Sequence, residues 1–404
     1  MSGSVLKAGD LQQSILQAKQ EAKALFGEVE DIHLRIRDTT LVKAASSIRP
    51  LNAGSISLKL YHTLRGHQNK VAQVRWSSNS SQVLSASQDG YLILWDIVTG
   101  FKKKAIFLEN QWVLTCAIAP NCENVVSGGL DNTLTVYNVS SKQPGLSEYE
   151  QFYSSVSAVF KGHRAYISDC DFTSNHHLVT SSGDMTCAMW DMAKGSKVRD
   201  FVEHLGDVLC LSKFNHISSQ SDRPLFVSGS ADGYAKVWDP RCQYSVQSFS
   251  ISNSDVNCIK TFPENHSFVT GSDDGIIRLF DMRSDCELSS YSLASTLTSH
   301  DNQGFRSNGN ISPTSVDRSS KAESIDSNYN IPGIVSLDLS KSGRLIYGCY
   351  ADYGCIIWDT LKGQVVGKLG FAGHSNKVNQ VRVSPDGIAL CTASWDQTIK
   401  VWAA

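Results

Sequence analysis

Ser85-Ala86-Ser87-Gln88-Asp89-Gly90-Tyr91-Leu92-Ile93-Leu94-Trp95-Asp96 reads as the end of one strand, a tight polar turn, and a second strand that closes on a tryptophan. Ser, Gly and Asp between short aliphatic runs are hairpin punctuation. The same layout recurs along the chain. An Asp in a polar turn stands six residues before an aromatic at Asp89/Trp95, Asp131/Tyr137, Asp184/Trp190, Asp232/Trp238, Asp274/Phe280, Asp352/Trp358 and Asp396/Trp402, which makes seven units. Successive aromatics are separated by 42, 53, 48, 42, 78 and 44 residues. His67, His163 and His374, each preceded by Gly, stand 28, 27 and 28 residues ahead of an aromatic, and His204 stands 34 ahead of Trp238.

A base period in the low forties with Gly-His and Trp-Asp dipeptides resembles the WD40 repeat, with four strands per blade of a β-propeller. The expected fold is all-β: a seven-bladed WD40 propeller over residues 55–404, preceded by an N-terminal coiled-coil α-helix. A buried indole N–H needs an acceptor, and a His can link it to the turn Asp. Because these His and Asp recur from unit to unit, they read as a structural network; a single active site would not repeat. The last unit ends at Trp402-Ala403-Ala404, after its third strand. Residues 55–62, which contain the alternating run Ser55-Ile56-Ser57-Leu58-Lys59-Leu60-Tyr61, are expected to supply the missing outer strand and so remove an exposed edge.

Composition narrows the function. The 404 residues carry 37 Lys+Arg against 39 Asp+Glu, a net charge of −2. That gives no basic field for nucleic acid. With 41% hydrophobic residues the chain is globular. No run of about 18 apolar residues predicts a spanning helix. Met1-Ser2-Gly3-Ser4 has neither a signal-peptide core nor a myristoylation start. Eleven cysteines, an odd number without a CxxC pair, point to reduced thiols in a cytosolic protein rather than a disulfide frame or a zinc site. The chain contains no GxxxxGK[ST], HExxH, GxSxG or EF-hand loop. His176-His177 are adjacent, which is poor chelating geometry. No catalytic residue, cofactor or metal is expected, although propeller enzymes with ligands around the central channel form an alternative class.

Two segments fall outside the repeat. Residues 1–54 read as a helix and linker to the propeller, the helix covering 8–37. Its apolar residues Leu11, Ile15, Ala18, Ala22, Leu25, Val29, Ile32 and Ile36 are spaced 4, 3, 4, 3, 4, 3, 4. That is the a/d seam of a coiled coil. Asp10 is placed to cap it, and Gly27 off the seam costs up to about 1 kcal/mol. Packing on the chain's own propeller is one use for such a seam; a second helix from another molecule is the other. Residues 287–330, before the sixth unit, are Ser-rich and aperiodic and read as a disordered insertion. Within it Ser312-Pro313 fits a proline-directed kinase site, or lies in a neutral loop.

Specific information should lie where the repeat varies. Counting back from each aromatic to the start of the innermost strand gives Lys70, Trp112, Tyr166, Asp207, Asp255, Gly333 and Lys377. The residues just before each turn Asp are Gln88, Leu130, Gly183, Ala231, Asp273, Ala351 and Trp395. In a four-stranded blade both registers fall at one end. Of the eight tryptophans, five serve the signature and Trp76 is most simply core. Trp112 and Trp395 land on the two registers. With Leu130, Leu114, Leu209, Ile93 and Tyr166 they form an expected aromatic and apolar patch, rimmed by Lys70, Lys102, Lys377, Asp207, Asp255 and Asp273. Aromatic anchors with a charged rim are the anatomy of a protein interface, whereas scattered surface aromatics carry no meaning.

A heptad helix ahead of seven such units resembles the β subunits of heterotrimeric G proteins. Leu64-Arg65-Gly66-His67, Gly128-Gly129-Leu130-Asp131-Asn132, Thr180-Ser181-Ser182-Gly183-Asp184, Gly271-Ser272-Asp273-Asp274 and Ser394-Trp395-Asp396 carry the likeness. Within that family the chain resembles the version serving the budding-yeast mating-pheromone pathway, through Ser182-Gly183-Asp184-Met185-Thr186-Cys187-Ala188, His204-Leu205-Gly206-Asp207-Val208-Leu209 and Arg283-Ser284-Asp285-Cys286. The resemblance implies an obligate γ subunit paired with the helix and carrying a lipid anchor. It also implies a GDP-bound α subunit on the mouth face, and a peripheral place at the inner face of the plasma membrane. Downstream it implies effectors such as a kinase scaffold, a p21-activated kinase and an exchange factor, with the receptor reached indirectly. Positions matching the family's contact set are Lys70, Ile93, Lys102, Trp112, Leu130, Asn132, Tyr166, Asp207, Asp255, Asp273 and Trp395. Ala72, Tyr91, Leu114, Leu209 and Ala231 depart from the better-known animal subunits. The alternative from another class is a generic WD40 adaptor with no dependence on γ.

Overall fold

The computed structural model describes residues 17–25, 27–28, 40–52, 56, 58–139, 156–214, 225–293 and 332–403. The chain divides into two units, Met1–Arg49 and Pro50–Ala404. In the first, residues 17–25 form helix α1. Its seam residues Ala18, Ala22 and Leu25 are all exposed, Leu25 by 60%. Leu11, Ile15, Val29, Ile32 and Ile36 lie outside the described residues. A single helical turn, α2 (Leu41–Ala44), is capped by Thr40, whose hydroxyl accepts from the Lys43 N–H.

The second unit is a ring of seven four-stranded antiparallel sheets. Each blade's innermost strand neighbours the next around the channel: β2 (Val71–Trp76), β6 (Val113–Ile118), β10 (Ile167–Phe172), β14 (Val208–Lys213), β18 (Val256–Thr261), β22 (Ile334–Leu339) and β26 (Val378–Val383). In every blade the pairing of this strand with the second one slips by one residue near its start. The extra residues are Ala72, Leu114, Ser168, Leu209, Asn257, Val335 and Asn379. Such bulges bend a strand and re-aim its side chain; here all seven residues line the channel.

The ring closes on itself. β1 (Lys59–Arg65) pairs antiparallel with β28 (Thr398–Ala403), from Lys59 opposite Ala403 to Arg65 opposite Thr398. The pairing strand therefore starts four residues beyond the expected 55–62. Ile56 and Leu58 instead pack their side chains against the cluster between blades six and seven. The inward anchor is Leu64, 1% exposed, which the alternation read from Ser55–Tyr61 did not reach.

The core lies between blades. One blade presents two apolar faces and buries neither alone, so each repeat aromatic packs toward the blade before it. Tyr137 sits with Leu84, Leu92 and Leu94 of the first blade. Trp190 sits with Ala117, Val126 and Val136 of the second, and Trp238 with Val179, Met189 and Phe201 of the third. Phe280 joins Val227, Val237 and Phe249 of the fourth, and Trp95 joins Ile399 and Val401 of the last.

Hydroxyl relays fix the turns. The Trp95 Nε1–H donates to Ser85 Oγ at 2.8 Å, Ser85 Oγ lies 2.7 Å from His67 Nε2, and His67 Nδ1 lies 2.8 Å from Asp89 Oδ2. The same chain runs Trp190–Thr180–His163–Asp184, Trp238–Ser228–His204–Asp232 and Trp402–Thr392–His374–Asp396. The hydroxyl is the member that the sequence reading left out: the imidazole reaches the indole only through it. In the fifth blade Arg278 takes the imidazole's place, pairing with Asp274 at 2.7 Å. The sixth blade has Gly348 at the hydroxyl position, and its Trp358 Nε1 and Tyr350 hydroxyl have no hydrogen-bond partner among the described residues. Asp352, expected in the network, instead points outward and pairs with Lys377 at 3.1 Å.

The expected insertion at 287–330 also starts too early. Cys286–Ser292 form β21, the outer strand of the fifth blade, anchored by Tyr291, which is 1% exposed and donates to the Thr360 carbonyl at 2.7 Å. An edge strand with one buried side chain and serines on its open face has the composition of a loop. Ser312 and the rest of the segment from 294 to 331 lie outside the described residues.

Two outcomes follow for stability. Ser228→Ala removes one atom that serves both Trp238 and His204, so it should lower the unfolding free energy by about 2–4 kcal/mol in denaturant titration. Protonation gives the second. Burial alone would raise the Asp89, Asp184 and Asp396 carboxyls, but the imidazole and neighbouring N–H and O–H donors hold them below their usual range. Burial pushes His204 and His374 below the usual imidazole value. Both kinds of group have a folded pKa below the unfolded one, so the unfolded chain takes up protons first as pH falls. The thermal midpoint should therefore decline below about pH 6.5 and again below about pH 4. A midpoint that rises between pH 7 and pH 5 in calorimetry would contradict this.

Candidate functional site

One backbone hydrogen bond defines an end of the ring in every blade. The N–H of the residue before the turn Asp donates to the carbonyl of the residue that starts the innermost strand. The pairs are Gln88 to Lys70, Leu130 to Trp112, Gly183 to Tyr166, Ala231 to Asp207, Asp273 to Asp255, Ala351 to Gly333 and Trp395 to Lys377, at 2.9–3.0 Å. Both registers counted from the sequence thus meet at the same end of each blade, around one mouth of the channel.

The relays hold this mouth in shape. Asp89 Oδ1 accepts from the Tyr91 N–H and its Oδ2 from the Gln68 N–H, so one carboxylate ties the turn to the loop entering the blade. Asp232 does the same for Tyr234 and Leu205.

Trp112 is 56% exposed, Leu130 50% and Trp395 36%. Lys70 Nζ sits 4.0 Å above the Trp395 ring, a cation–π contact that joins the first and last blades. Tyr166 donates its hydroxyl to Asp207 Oδ2 at 2.8 Å, joining the third and fourth. Burial together with Asp207 and Asp255 pushes the Tyr166 hydroxyl up to about 12, so it stays a donor at neutral pH. The mouth is electrically lopsided. Lys70 marks the first blade and Lys377, paired with Asp352, the last, whereas Asp207, Asp255 and Asp273 mark the fourth and fifth, with the two tryptophans flanking the lysine side.

Four expected members of the patch stand elsewhere. Ile93 is 3% exposed and belongs to the core between the last and first blades; its strand β4 (Tyr91–Asp96) is covered on both faces, so alternation does not bring it out. Lys102 opens β5 (Lys102–Phe107), the outermost strand of its blade, where its ammonium donates to the Gly66 carbonyl at 3.2 Å. It lies 5.7 Å from the Trp95 ring centre. Lys197 repeats that contact in the third blade, with Gly162 and Trp190, which marks it as blade architecture on the outer wall rather than mouth rim. Leu114 and Leu209 are half-buried bulge residues of the channel wall. Asn132 is at the second blade's turn, with its backbone left-handed at φ 60° and its amide donating to the Arg164 carbonyl.

Leu205 was missed. It is 87% exposed in the loop entering the fourth blade, pinned by its N–H to Asp232. The signal was available: the residue after the relay His is Gln68, Arg164 and Ser375 in the other three blades, all polar.

The relays contain Ser-His-Asp and Thr-His-Asp strings with the distances of a hydrolytic triad. They are not poised for attack. Ser85, Thr180, Ser228 and Thr392 are each 0% exposed and already accept an indole N–H. Among the described residues no cluster of three His, Cys, Asp or Glu could hold a metal ion. No helix among them is long and apolar enough to cross a membrane. The chemistry this end offers is recognition: exposed rings, a fixed rim and two poles of charge.

Comparison with known proteins agrees with this architecture. Residues 12–318 match the family described as G protein beta WD-40 repeat protein, and residues 363–403 match the WD domain, G-beta repeat. A guanine nucleotide-binding protein subunit beta of Saccharomyces cerevisiae is 42% identical over 395 residues, covering 98% of this chain and 91% of the yeast protein. The subunit of that name from Arabidopsis thaliana is 34% identical over 411 residues, 98% of each chain. That from Oryza sativa subsp. japonica is 33% identical over 410 residues, 96% of this chain and 97% of its own. Seven four-stranded blades, four of them braced by a relay, and a family match across most of their length lead to one assignment: the chain belongs to the G protein β-subunit family of WD-40 repeat proteins.

Proposed function

We propose that this protein is the non-enzymatic β subunit of a heterotrimeric G protein, with residues 1–54 as its coiled-coil arm and 55–404 as its propeller. The arm pairs with a γ subunit, which supplies the lipid anchor and holds the dimer at the inner face of the plasma membrane. The mouth binds the GDP-bound α subunit. When α takes up GTP, its switch segments rearrange and lose their affinity for this surface. The same surface then engages effectors, in a mating-pheromone response a kinase scaffold, a p21-activated kinase and an exchange factor. Competition for shared residues makes the two states exclusive. Ser312, in the segment before the sixth blade, is proposed as a phosphorylation site.

The observation that carries this reading is the pair of exposed tryptophans at one mouth. Two large rings left in water at the same end of a ring are anchors awaiting a partner. The contact set proposed is Trp112, Trp395, Leu130, Asn132, Tyr166, Lys70, Lys377, Asp207, Asp255 and Asp273. Leu114 and Leu209 contribute from just inside the channel, and Leu205 is added. The lopsided charge gives orientation, since a partner with an acidic and a basic pole docks one way round.

The decisive experiment is capture of α on the immobilised βγ dimer with GDP or a non-hydrolysable GTP analogue. Retention with GDP and release with the analogue are expected, and Trp112→Ala should weaken the GDP complex by about 2 kcal/mol or more. Nucleotide-independent capture, or unchanged affinity in the variant, would count against the proposal. For the arm, Ala22→Asp puts a charge in the seam and should abolish co-purification with γ while the far-ultraviolet β signal of the propeller persists. Retained pairing would remove the coiled-coil part.

A further inference from the structure

The deeper channel holds more charge than the mouth. Four cations and three carboxylates face one another across the inner ends of the blades. Arg75 pairs with Asp169 at 2.8 Å, Lys213 with Asp171 at 3.3 Å and Lys260 with Asp338 at 3.0 Å. The fourth cation, Arg382, has no ion-pair partner among the described residues. Its Nη1 donates to the Leu337 carbonyl at 2.9 Å, and its buried Nε has no hydrogen-bond partner among them. The cluster therefore carries one uncompensated positive charge.

That charge cannot disappear by titration. Burial, with Arg75 beside it, presses the Arg382 guanidinium below its ordinary value, yet an arginine keeps its proton at any physiological pH. Asp338 and Asp169 offset part of it from a distance, but neither forms an ion pair with it. Asp169 Oδ1 already accepts from Arg75, Gln73, Thr115 and the Cys170 N–H, and its Oδ2 from the Leu211 N–H. Asp338 accepts from Lys260, the Leu339 N–H and the Val383 N–H.

Arg382 lines a cavity of about 150 Å³ in the channel, with Ser336, Asn379 and Gln380 beside it. The Gln380 carbonyl oxygen is taken by the Val74 N–H, which leaves its NH₂ group for the cavity. About five water-sized volumes fit in that space. The cavity reaches the mouth past the bulge residues Ala72, Leu114, Leu209 and Val335.

We infer that the channel is a binding site for one monovalent inorganic anion, chloride being the abundant one, held by Arg382 with the Gln380 NH₂ group; the Ser336 hydroxyl and the Asn379 amide already donate to the Val381 and Ala72 carbonyls. One spare charge calls for one countercharge. The flanking carboxylates of Asp169 and Asp338 disfavour a dianion.

Thermal unfolding of the full-length chain, with sodium chloride replacing sodium gluconate at constant ionic strength, tests this. The midpoint should rise saturably with chloride. Arg382→Met should keep the fold by circular dichroism and lose the chloride dependence. Asp338→Asn, which frees Lys260 and retains the Val383 contact, should bind chloride about tenfold more tightly. Crystals soaked in sodium bromide should give an anomalous peak in the channel beside Arg382. The inference is overturned if chloride has no effect beyond ionic strength, if Arg382→Met responds as the parent does, or if bromide is absent from the channel. A phosphate response exceeding that of chloride would overturn the monovalent assignment.

Discussion

A buried indole N–H must be given an acceptor, and the way this chain does so organises everything above it. A single hydroxyl accepts the indole and bridges to an imidazole, which grips a turn carboxylate. That carboxylate in turn gathers N–H groups from two different loops. The aromatic therefore seals one blade against the preceding one, while the far end of the same relay freezes the loops at the mouth. Packing and recognition are two ends of one hydrogen-bonded string. Low local dielectric makes each link stronger and each missing link expensive, which is why Trp358, with Gly348 where the relay hydroxyl stands in other blades, is the exception.

Much of this was legible in the sequence because repetition converts weak local signals into a strong one. A six-residue Asp-to-aromatic spacing means little once; seven times, it sets blade number, strand polarity and the two registers that meet at the mouth. What escaped follows from the physics of single positions. The relay hydroxyl is a Ser or Thr among many, and only its contacts distinguish it. Ile93 was expected in the mouth patch, but strands enclosed by neighbouring blades bury both faces. Lys102 looked like rim because charge reads as exposure; its stem lies along an outer wall with its head on a carbonyl, as long cationic side chains do. Strand Cys286–Ser292 was lost in serine-rich composition, since an edge strand needs only one buried anchor.

The channel carries a second kind of order. At six of the junctions an innermost-strand side chain accepts a backbone N–H from the following blade: Gln73 from Cys116, Thr115 from Cys170, Asp169 from Leu211, Ser212 from Thr261, Ser336 from Val381 and Gln380 from Val74. Cys210 and Cys258 hold the place of Gln73 in the fourth and fifth blades. Burial raises both thiols, Cys258 up to about 12 and Cys210 well above its usual value, so they pack as small apolar groups. The fifth blade also lacks the imidazole relay, and the sixth lacks its hydroxyl. The bracing of the ring is thus uneven: among the described residues, complete relays stand only in the first, third, fourth and last blades.

The join between β1 and β28 has a consequence in time. Arg65 and its partner Thr398 are the early and late ends of one sheet. At about 5–20 residues per second of synthesis, on the order of 20–70 s separate their emergence from the ribosome. Throughout that interval the first strand made has no hydrogen-bonding neighbour, and an unsatisfied strand edge recruits other chains. A polypeptide that stops short of Thr398 leaves it orphaned for good. The ring latch therefore delays closure until the strand Thr398–Ala403 has been made.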